Sequence, residues 1–392
     1  AGITDFMLIE KGGGFGGTWY WNRYPGASCD IEAYVYLPLL EETGFVPRQK
    51  YTNAEETLEY CEVLAQRYRL HEHALLQTQV RQVVWQESSR RWQVVTDRGD
   101  QLQARFVIHS NGPLNRPKLP AIKGIDQFKG HTFHTSRWDY AYTGGTTFGD
   151  LSQLADKRVA VIGTGATAVQ CVPHLAASAK ALYVFQRTPS SIDVRDNQPT
   201  NPDWISKQTP GWQKRRQTNF ESIMSGLPVK EDLVGDGWTE AFRNLFGGLG
   251  DSMPSKARLA LWAVQGVFSS KRRERGLKQY LMDRAIQYMG LMQKMEMADF
   301  EKMEKVRARA DEVVLEKSTA ESLKPYYRQF CKRPCFHDEY LQSFNRDSVT
   351  LVDTDGRGVE TFTEMGVVFD GEEYEVDCII FATGFEVGTD YS

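Results

Sequence analysis

Arg158-Val-Ala-Val-Ile-Gly-Thr-Gly-Ala-Thr-Ala168 is the stretch of this chain that decides the fold. Its apolar first half predicts a buried strand, and the pattern Gly163-x-Gly165-x-x-Ala168 predicts a tight turn into a helix that begins near Ala166. Glycines at these positions let backbone N–H groups approach a pyrophosphate at the helix N-terminus. The stretch therefore predicts a dinucleotide site. Its expected contacts are Gly163, Thr164, Gly165, Ala166, Thr167, Ala168 and Val169.

The next predicted strand indicates which dinucleotide is bound. It runs over Ala181–Gln186 and is followed by Arg187 and Thr188. A site for NAD carries an acidic residue at this point, which binds the ribose hydroxyls. A permanently cationic Arg187 instead favours the 2′-phosphate of NADP. We therefore expect NADP(H), with Arg187 and Thr188 among its contacts.

The composition is that of an ordinary soluble protein of two or three domains. The 392 residues are 41% hydrophobic and 25% charged, with a net charge of −4. This charge gives no reason to expect nucleic acid, and no apolar run is long enough to span a membrane. The six cysteines are scattered, and the close pair Cys331 and Cys335 lacks the further ligands of a zinc site. We expect a cytoplasmic protein without a metal, and nothing in the sequence indicates its oligomeric state.

Two series of strands follow the same plan and predict two related domains. Each series ends in an apolar run, a small residue and a glycine, where a backbone can approach a cofactor closely. These closing runs are Phe106–Gly112 and Cys378–Gly384. The predicted fold class is α/β, with two nested dinucleotide-binding, Rossmann-like domains, β-meanders and a helical insertion. The predicted strands are Val80–Trp85, Arg91–Thr96 and Gln101–His109 in the first series, and Val349–Val352, Gly366–Phe369 and Glu375–Phe381 in the second.

The first domain carries the features of a second nucleotide site. The chain enters an apolar strand at Phe6–Ile9 without an initiator methionine, which predicts an interior piece of a longer protein. Glu10 ends that strand, where a carboxylate suits a ribose diol, as in FAD domains. The run Gly12–Gly26 combines glycines with dense aromatic side chains. Aromatic residues beside an accessible backbone suit the flat, mostly apolar ring of a flavin, so we expect FAD here.

A further motif lies between the two domains. Phe128, Gly130, His134, Trp138 and Asp139 form the pattern F-x-G-x-x-x-H-x-x-x-W-D upstream of the glycine loop. Together with that loop, the pattern resembles the fingerprint of type I Baeyer–Villiger monooxygenases, flavoproteins that insert one oxygen atom next to a ketone carbonyl. The resemblance implies that His134 and Trp138 couple domain motion to NADP binding.

The run Gly16–Asp30 is similar to the family's GGTWYWNRYPGARCD segment, which lines the flavin. Ser28 departs from the pattern, because the family usually has Arg there, and the resemblance assigns Ser28 and Cys29 to NADP contact. Val80 is expected on the adenine side of FAD. The other FAD contacts that the resemblance implies are Gly16, Gly17, Thr18, Trp19, Tyr20, Trp21, Asp30, Ile31 and Tyr36.

Lys332-Arg333-Pro334 resembles the family's KR segment. The resemblance implies that Lys332 holds the 2′-phosphate of NADP and that Arg333 faces the flavin as the catalytic cation. Reduced flavin adds oxygen at C4a, and the resulting peroxide must stay an anion to attack a carbonyl carbon. A guanidinium stabilises that anion and the negative adduct without donating its proton. Asp30 is expected to pair with Arg333 and to orient it.

The expected function is the NADPH- and O2-dependent conversion of a ketone to an ester or lactone through a C4a-peroxyflavin. One alternative is a related flavin monooxygenase that oxidises nitrogen or sulfur, although those relatives tend to have Tyr or Phe in place of Trp138. The other is a protein that binds dinucleotides without oxygenating anything.

The expected domains are a FAD-binding domain at 1–118 and again at 378–392, a linker with the fingerprint at 119–150, an NADP-binding domain at 151–190 and 325–377, and a helical insertion at 191–324 that forms a wall for the substrate.

Overall fold

The computed structural model describes residues 2–114, 116–246 and 270–386. The strands in these ranges are β1 (Leu8–Ile9), β2 (Ala74–Leu75), β3 (Val80–Gln86), β4 (Arg91–Thr96), β5 (Gln101–Ala104), β6 (His131–His134), β7 (Arg158–Ile162), β8 (Ala181–Gln186), β9 (Ile192–Asp193), β10 (Cys335–Phe336), β11 (Val349–Asp353), β12 (Thr361–Phe362), β13 (Gly366–Phe369), β14 (Glu372–Glu375) and β15 (Cys378–Phe381). The α-helices are α1 (Thr18–Trp21), α2 (Ala33–Tyr36), α3 (Leu40–Thr43), α4 (Ala54–Arg67), α5 (Tyr140–Thr143), α6 (Ala166–Ser178), α7 (Pro202–Ser206), α8 (Trp212–Met224), α9 (Gly237–Phe246), α10 (Ser270–Val313), α11 (Lys317–Ser322) and α12 (Tyr340–Ser343). Short 3₁₀ turns occur at Leu70–His73, Thr135–Arg137, Ser152–Leu154 and Gln329–Cys331. Within the described ranges, no helix has both the length and the apolar character needed to cross a membrane.

A five-stranded parallel sheet carries the glycine loop. Its strand order is β11-β8-β7-β15-β6, and every neighbouring pair is parallel. Val159 and Val161 of β7 pack with Leu175 of α6, whereas Ala160 and Ile162 pack on the opposite face against the strands β12 and β13. Because both faces are covered, β7 is a continuous apolar run instead of an alternating one. This is the expected α/β architecture of a dinucleotide-binding domain.

The predicted strand–turn–helix unit is confirmed. β7 ends at Ile162 and α6 begins at Ala166, and β8 covers the whole of the predicted Ala181–Gln186. Gly163 has a φ of +108°, and a Cβ atom there would lie 2.7 Å from the carbonyl oxygen of Ala382. Only glycine satisfies both the backbone conformation and the close approach at this turn.

Two β-meanders are present, but the second has different members from those expected. β3, β4 and β5 form one antiparallel sheet, and β12, β13 and β14 form the other. The strand predicted at Val349–Val352 belongs instead to the parallel sheet, as part of β11. The prediction of one strand over Glu375–Phe381 is wrong, because Asp377 interrupts it. The Asp377 carboxylate accepts a hydrogen bond from the backbone N–H of Arg158 at 2.7 Å, where the chain leaves the meander and enters the parallel sheet.

β15 and β6 correct the expected domain boundaries. We expected residues 378–392 to return to the FAD-binding domain, but β15 lies between β7 and β6 in the sheet that carries the glycine loop. We expected the fingerprint to lie in a linker, but its residues His131–His134 form the edge strand β6 of that sheet. Backbone hydrogen bonds between distant segments decide both placements, and apolar periodicity does not reveal such pairings. Residues 387–392 lie outside the described part of the chain.

The first domain has a small core of its own and lacks part of one predicted strand. That core consists of Ala33, Leu37, Leu40 and Tyr60. The strand predicted over Gln101–His109 ends at Ala104, and Phe106 and Ile108 are 82% and 88% exposed. Among the described residues, no strand pairs with the segment after Ala104. An apolar run does not form a strand without partners for its backbone groups, so this part of the prediction is wrong.

The helical insertion is tied to the first domain by a buried ion pair. The described part of the insertion contains α7, α8, α9 and α10, and residues 247–269 lie outside the described part. Glu32 is fully buried, and its two carboxylate oxygens both accept hydrogen bonds from Arg216 of α8, one of them at 2.8 Å. Burial raises the pKa of Glu32, and the neighbouring Arg216 opposes that shift. The Arg216 guanidinium also lies 5.1 Å from the ring centre of Trp204 on α7.

We expect Glu32→Ala to destabilise the protein by about 3–5 kcal/mol, because it leaves the largely buried Arg216 without its counter-charge. The matched control is Glu59→Ala, which removes a 3.0 Å ion pair with Arg48 between exposed side chains. That loss should stay below about 1 kcal/mol. Urea unfolding of the two variants measures both changes in the free energy of unfolding, and equal losses would contradict this account of how the insertion is held.

Candidate active site

Two neighbouring residues of one extended segment build two different clusters. Lys332 follows the 3₁₀ turn Gln329–Cys331 and has an extended backbone, with φ −129° and ψ 163°. Side chains of successive extended residues point to opposite sides of the backbone. Lys332 therefore faces the carboxyl end of β8, whereas Arg333 faces the first domain.

Arg333 forms a two-point ion pair with Asp30. Arg333 Nη1 lies 2.8 Å from Asp30 Oδ2, and Nη2 lies 2.9 Å from Oδ1. The Asp30 side chain is only 8% exposed, whereas that of Arg333 is 54% exposed. Burial alone would lower the pKa of Arg333, but the Asp30 carboxylate outweighs this effect and raises it. The guanidinium is thus permanently charged, oriented by a buried carboxylate on one edge and open to a ligand elsewhere.

The glycine-rich aromatic loop presents a layer of rings in the first domain. Trp19 donates a hydrogen bond from Nε1 to the Tyr36 hydroxyl at 2.9 Å. The rings of Tyr20 and Trp21 meet edge-on with centroids 5.0 Å apart, and Arg137 lies 4.0 Å from the ring centre of Trp21. This cation–π contact links the fingerprint segment to the loop. The other residues predicted to contact FAD are Gly16, Gly17 and Thr18 at the start of α1, the half-buried Ile31 next to Asp30, and the exposed Val80 at the start of β3.

The fingerprint residues fix the chain before and after β6 against the second domain and α5. Phe128 is buried in the core beneath the second meander, and a side chain on Gly130 would collide with it. Asp139 caps α5 by accepting two backbone N–H groups, and Trp138 donates to a threonine hydroxyl of α5 at 3.0 Å. Burial lowers the pKa of His134, which favours the neutral imidazole. These contacts indicate a positioning role for the fingerprint.

Two cations converge at the carboxyl end of β8. The Lys332 ammonium donates to the Thr188 hydroxyl, to the Thr188 carbonyl at 3.2 Å and to the Pro189 carbonyl at 3.3 Å. Arg187 is exposed beside it. Burial lowers the pKa of Lys332, and the charge of Arg187 lowers it further. Neither cation forms an ion pair with a carboxylate of the described residues, so the cluster suits a doubly charged phosphate.

The N-terminus of α6 fits the pyrophosphate of a dinucleotide. Gly165 is the N-cap of this 13-residue helix and, as a glycine, has no side chain that could accept a hydrogen bond from the first N–H groups. A Cβ atom on Gly165 would have no neighbour within 4 Å, so the space in front of the helix is open. Unpaired N–H groups and the helix dipole both favour an anion at this position.

Comparisons with known proteins place the chain in a family. Residues 37–216 match the family model of the pyridine nucleotide-disulphide oxidoreductases. The chain is 50% identical over 390 residues to a Baeyer-Villiger monooxygenase of Stachybotrys chlorohalonatus, and the match covers 100% of this chain and 58% of that protein. The polycyclic ketone monooxygenase from Thermothelomyces thermophila has a similar structure, with a TM-score of 0.83 and 40% identity over 99% of this chain and 59% of that one. The chain belongs to the Baeyer–Villiger monooxygenase family.

The chain spans less than two thirds of the length of both relatives. Its structure also resembles OTEMO, solved in complex with FAD and NADP, with a TM-score of 0.71 and 29% identity over 97% of this chain and 66% of that one. That structure contains the two nucleotides that the sequence motifs predict.

Glu10, at the end of β1, supports the glycine-rich aromatic loop of the first domain. One carboxylate oxygen accepts a hydrogen bond from the backbone N–H of Gly12 at 2.6 Å. The ring of Tyr20 packs over the same glycines, and a Cβ atom on Gly12 would lie 3.0 Å from it. The second carboxylate oxygen of Glu10 remains at the end of the strand, where the sequence predicts a ribose.

Arg195 and Gln170 support the candidate site, although the sequence did not indicate either of them. Arg195 donates to the Ser28 hydroxyl at 2.8 Å and to the Cys29 carbonyl at 2.5 Å, directly beside Asp30. Gln170 of α6 donates to the Ser28 carbonyl at 2.9 Å. These two side chains fasten the segment before Asp30 to the second domain. No motif marks them, because both contacts join segments more than 140 residues apart in the chain.

In the full-length protein, we expect Arg187→Ala and Lys332→Ala each to weaken NADP⁺ binding about tenfold or more and to leave NAD⁺ binding unchanged. Only NADP⁺ carries the 2′-phosphate that these cations suit. The control is Arg357→Ala, because the exposed Arg357 is already paired with Asp370 at 3.1 Å. Calorimetric titration with both nucleotides checks this prediction, and equal weakening for NAD⁺ would contradict it.

Proposed function

We propose that the full-length protein is an NADPH- and O2-dependent flavin monooxygenase that converts a ketone to an ester or lactone. The observation that carries the proposal is the Asp30–Arg333 pair, in which a buried carboxylate holds an accessible guanidinium at 2.8 and 2.9 Å. The pair lies near the aromatic loop of a chain from the Baeyer–Villiger monooxygenase family.

The residues present fit FAD and NADP(H). The open N-terminus of α6 and the cations Arg187 and Lys332 fit the pyrophosphate and 2′-phosphate of NADP(H). The rings around Trp19 and the strand end at Glu10 fit the flavin and ribose of FAD. When bound, NADPH supplies reducing equivalents and FAD supplies the activated oxygen. We also propose that the predicted FAD and NADP contacts are the binding residues. We propose further that β6 and β15 belong to the NADP-binding domain, which differs from the boundaries predicted from the sequence.

Arg333 stabilises negative charge at the reacting centre. Attack on a ketone carbon places negative charge on the former carbonyl oxygen, and an oriented guanidinium lowers the energy of that state. The guanidinium does not release its proton, so it holds the charge without quenching a neighbouring anion. Asp30 positions this group through its two carboxylate oxygens.

His134 and the fingerprint position the domains and take no part in proton transfer. The neutral imidazole favoured by burial is bonded through Nδ1 to the Ser136 hydroxyl at 2.8 Å.

We propose a ketone as the substrate because the solved relative with a TM-score of 0.83 is named a polycyclic ketone monooxygenase. The six cysteines are all thiols in the structure, which supports a cytoplasmic location.

We expect Arg333→Ala in the full-length protein to lower ester formation about 10²- to 10³-fold, because the negative charge at the reacting centre loses its stabilising group. NADP⁺ affinity should change little, since Arg333 faces away from the Lys332 cluster. Asp30→Asn should cause a smaller loss that lies in kcat and not in KM. Product analysis by gas chromatography, with NADPH consumption followed in parallel, measures both effects.

The matched control is Arg328→Ala, which removes an exposed arginine of the same segment that is paired with Glu296 at 2.7 Å. It should leave ester formation unchanged. Undiminished ester formation by Arg333→Ala would contradict the proposed role of Arg333. Formation of N-oxides or sulfoxides by the unaltered protein, without any ester from ketones, would overturn the proposed function.

A further inference from the structure

A cavity of about 740 Å³ is lined mainly by residues of the helical insertion, together with Lys50 and Tyr51 of the first domain. Arg195 lies on its wall and donates to the Cys29 carbonyl, next to Asp30. Gly237 lies on another wall, and the following Trp238 has its ring centre 5.7 Å from the Arg333 guanidinium. Two contacts thus connect the cavity wall with the residues around the proposed reacting centre.

Most acidic side chains on the cavity wall already have cationic partners. Asp193 and Glu240 lie 2.5 Å and 3.0 Å from the ammonium of Lys302. Asp232 lies 3.6 Å from Arg243. These three carboxylates are explained by the packing of the helical insertion and need no ligand.

Asp236 differs from them, because one of its carboxylate oxygens has no partner. Its side chain is 6% exposed and lines the cavity. Oδ1 accepts a hydrogen bond from the backbone N–H of Thr239 at 2.8 Å and so caps α9. Oδ2 is buried and accepts no hydrogen bond from any described residue. A buried acceptor without a donor is unfavourable, so this oxygen is suited to a donor on a bound molecule.

Two buried donors near Asp236 are also without an acceptor. They are Nε of Arg195, on the cavity wall, and Nε1 of Trp238, which follows the wall residue Gly237. Unsatisfied buried polar atoms are rare in proteins, and here two of them belong to side chains that line one cavity, while the third belongs to Trp238, next to the wall residue Gly237. The cavity wall therefore carries both an acceptor, Asp236, and a donor, Arg195, for the same bound molecule.

We propose that this cavity binds the part of the substrate remote from the reacting carbonyl, and that Asp236 selects ketones that carry a hydroxyl group there. The inference rests on the proposed function and names its substrate class. The hydroxyl donates to Asp236 Oδ2, and it or a second oxygen accepts from Arg195. Asp236 is thus a specificity-determining residue, distinct from the catalytic Arg333.

The wall carries Lys50, Arg195 and Arg243 beside five carboxylates, so charges of both signs line the cavity. A hydroxyl group can donate to Asp236 and also accept from Arg195, whereas an ammonium can only donate and a carboxylate can only accept. Burial raises the pKa of Asp236, because a buried carboxylate loses its hydration. A hydroxyl donates to Oδ2 without adding a charge to the cavity.

The test uses the full-length protein with FAD bound and two probe ketones that share one skeleton, androstan-17-one and 3-hydroxyandrostan-17-one. Equilibrium dialysis measures the binding of each ketone, and lactone formation measures turnover separately. We expect Asp236→Asn to weaken binding of the hydroxy ketone about tenfold, equivalent to about 1.4 kcal/mol, and to change binding of the plain ketone less than twofold. Asparagine retains the oxygen that caps α9, and Asp236→Ser is a second variant that also retains a capping oxygen.

The control is Asp196→Asn, which removes an exposed carboxylate from the wall of the same cavity. It should leave the binding of both ketones unchanged. Equal effects of Asp236→Asn on the two ketones, or no effect on either, would overturn the inference while lactone formation continued to support the proposed function. Selective loss of hydroxy-ketone binding without lactone formation by the unaltered protein would support the cavity and overturn the proposed function instead.

Discussion

The ion pair between Asp30 and Arg333 is the interaction on which the rest of the site depends. Its partners are 303 residues apart and lie in different domains, so the pair exists only when both domains are in place. The buried carboxylate would be unfavourable alone, and the cation orients toward it through two short hydrogen bonds. The extended backbone at Lys332 then directs the preceding side chain the other way, toward the end of β8. One short segment thereby serves both proposed nucleotide sites.

The second domain supports the segment around this pair through one helix. Its helix α6 begins at the glycine loop and, one turn later, presents Gln170 to the Ser28 carbonyl. Tyr24 donates to the same Gln170 side chain at 2.8 Å, so the aromatic loop and the glycine loop are fastened to one helix. The proposed flavin contacts and the proposed NADP contacts therefore share a rigid element. A movement of α6 relative to the first domain would have to break these hydrogen bonds.

Short sequence patterns predicted the elements that form from residues within one short stretch of the chain. β7, β8 and the start of α6 follow from an apolar run, two glycines and a return to apolar residues, and they occur where predicted. The resemblance to a family indicated Asp30, Arg333 and Lys332. The structure pairs Asp30 with Arg333 and places Lys332 against Thr188, whereas their contacts with the nucleotides stay predictions. Local patterns failed at β6 and β15, because strand membership in a sheet depends on which distant backbone offers hydrogen bonds. They also gave no sign of the Glu32–Arg216 pair, whose partners are separated by 184 residues.

The amino-acid sequence by itself determined the α/β class, the turn at Gly163 and the residue types that phosphate and flavin chemistry need, because these depend on backbone geometry and side-chain charge within short stretches. Tertiary structure alone decided the partners: which carboxylate orients Arg333, which side chains fasten the segment at Ser28, and which buried atoms around Asp236 are left without hydrogen bonds. Burial and pairing energies arise from groups that meet across the fold. They are therefore set by the packed arrangement and not by the order of residues along the chain.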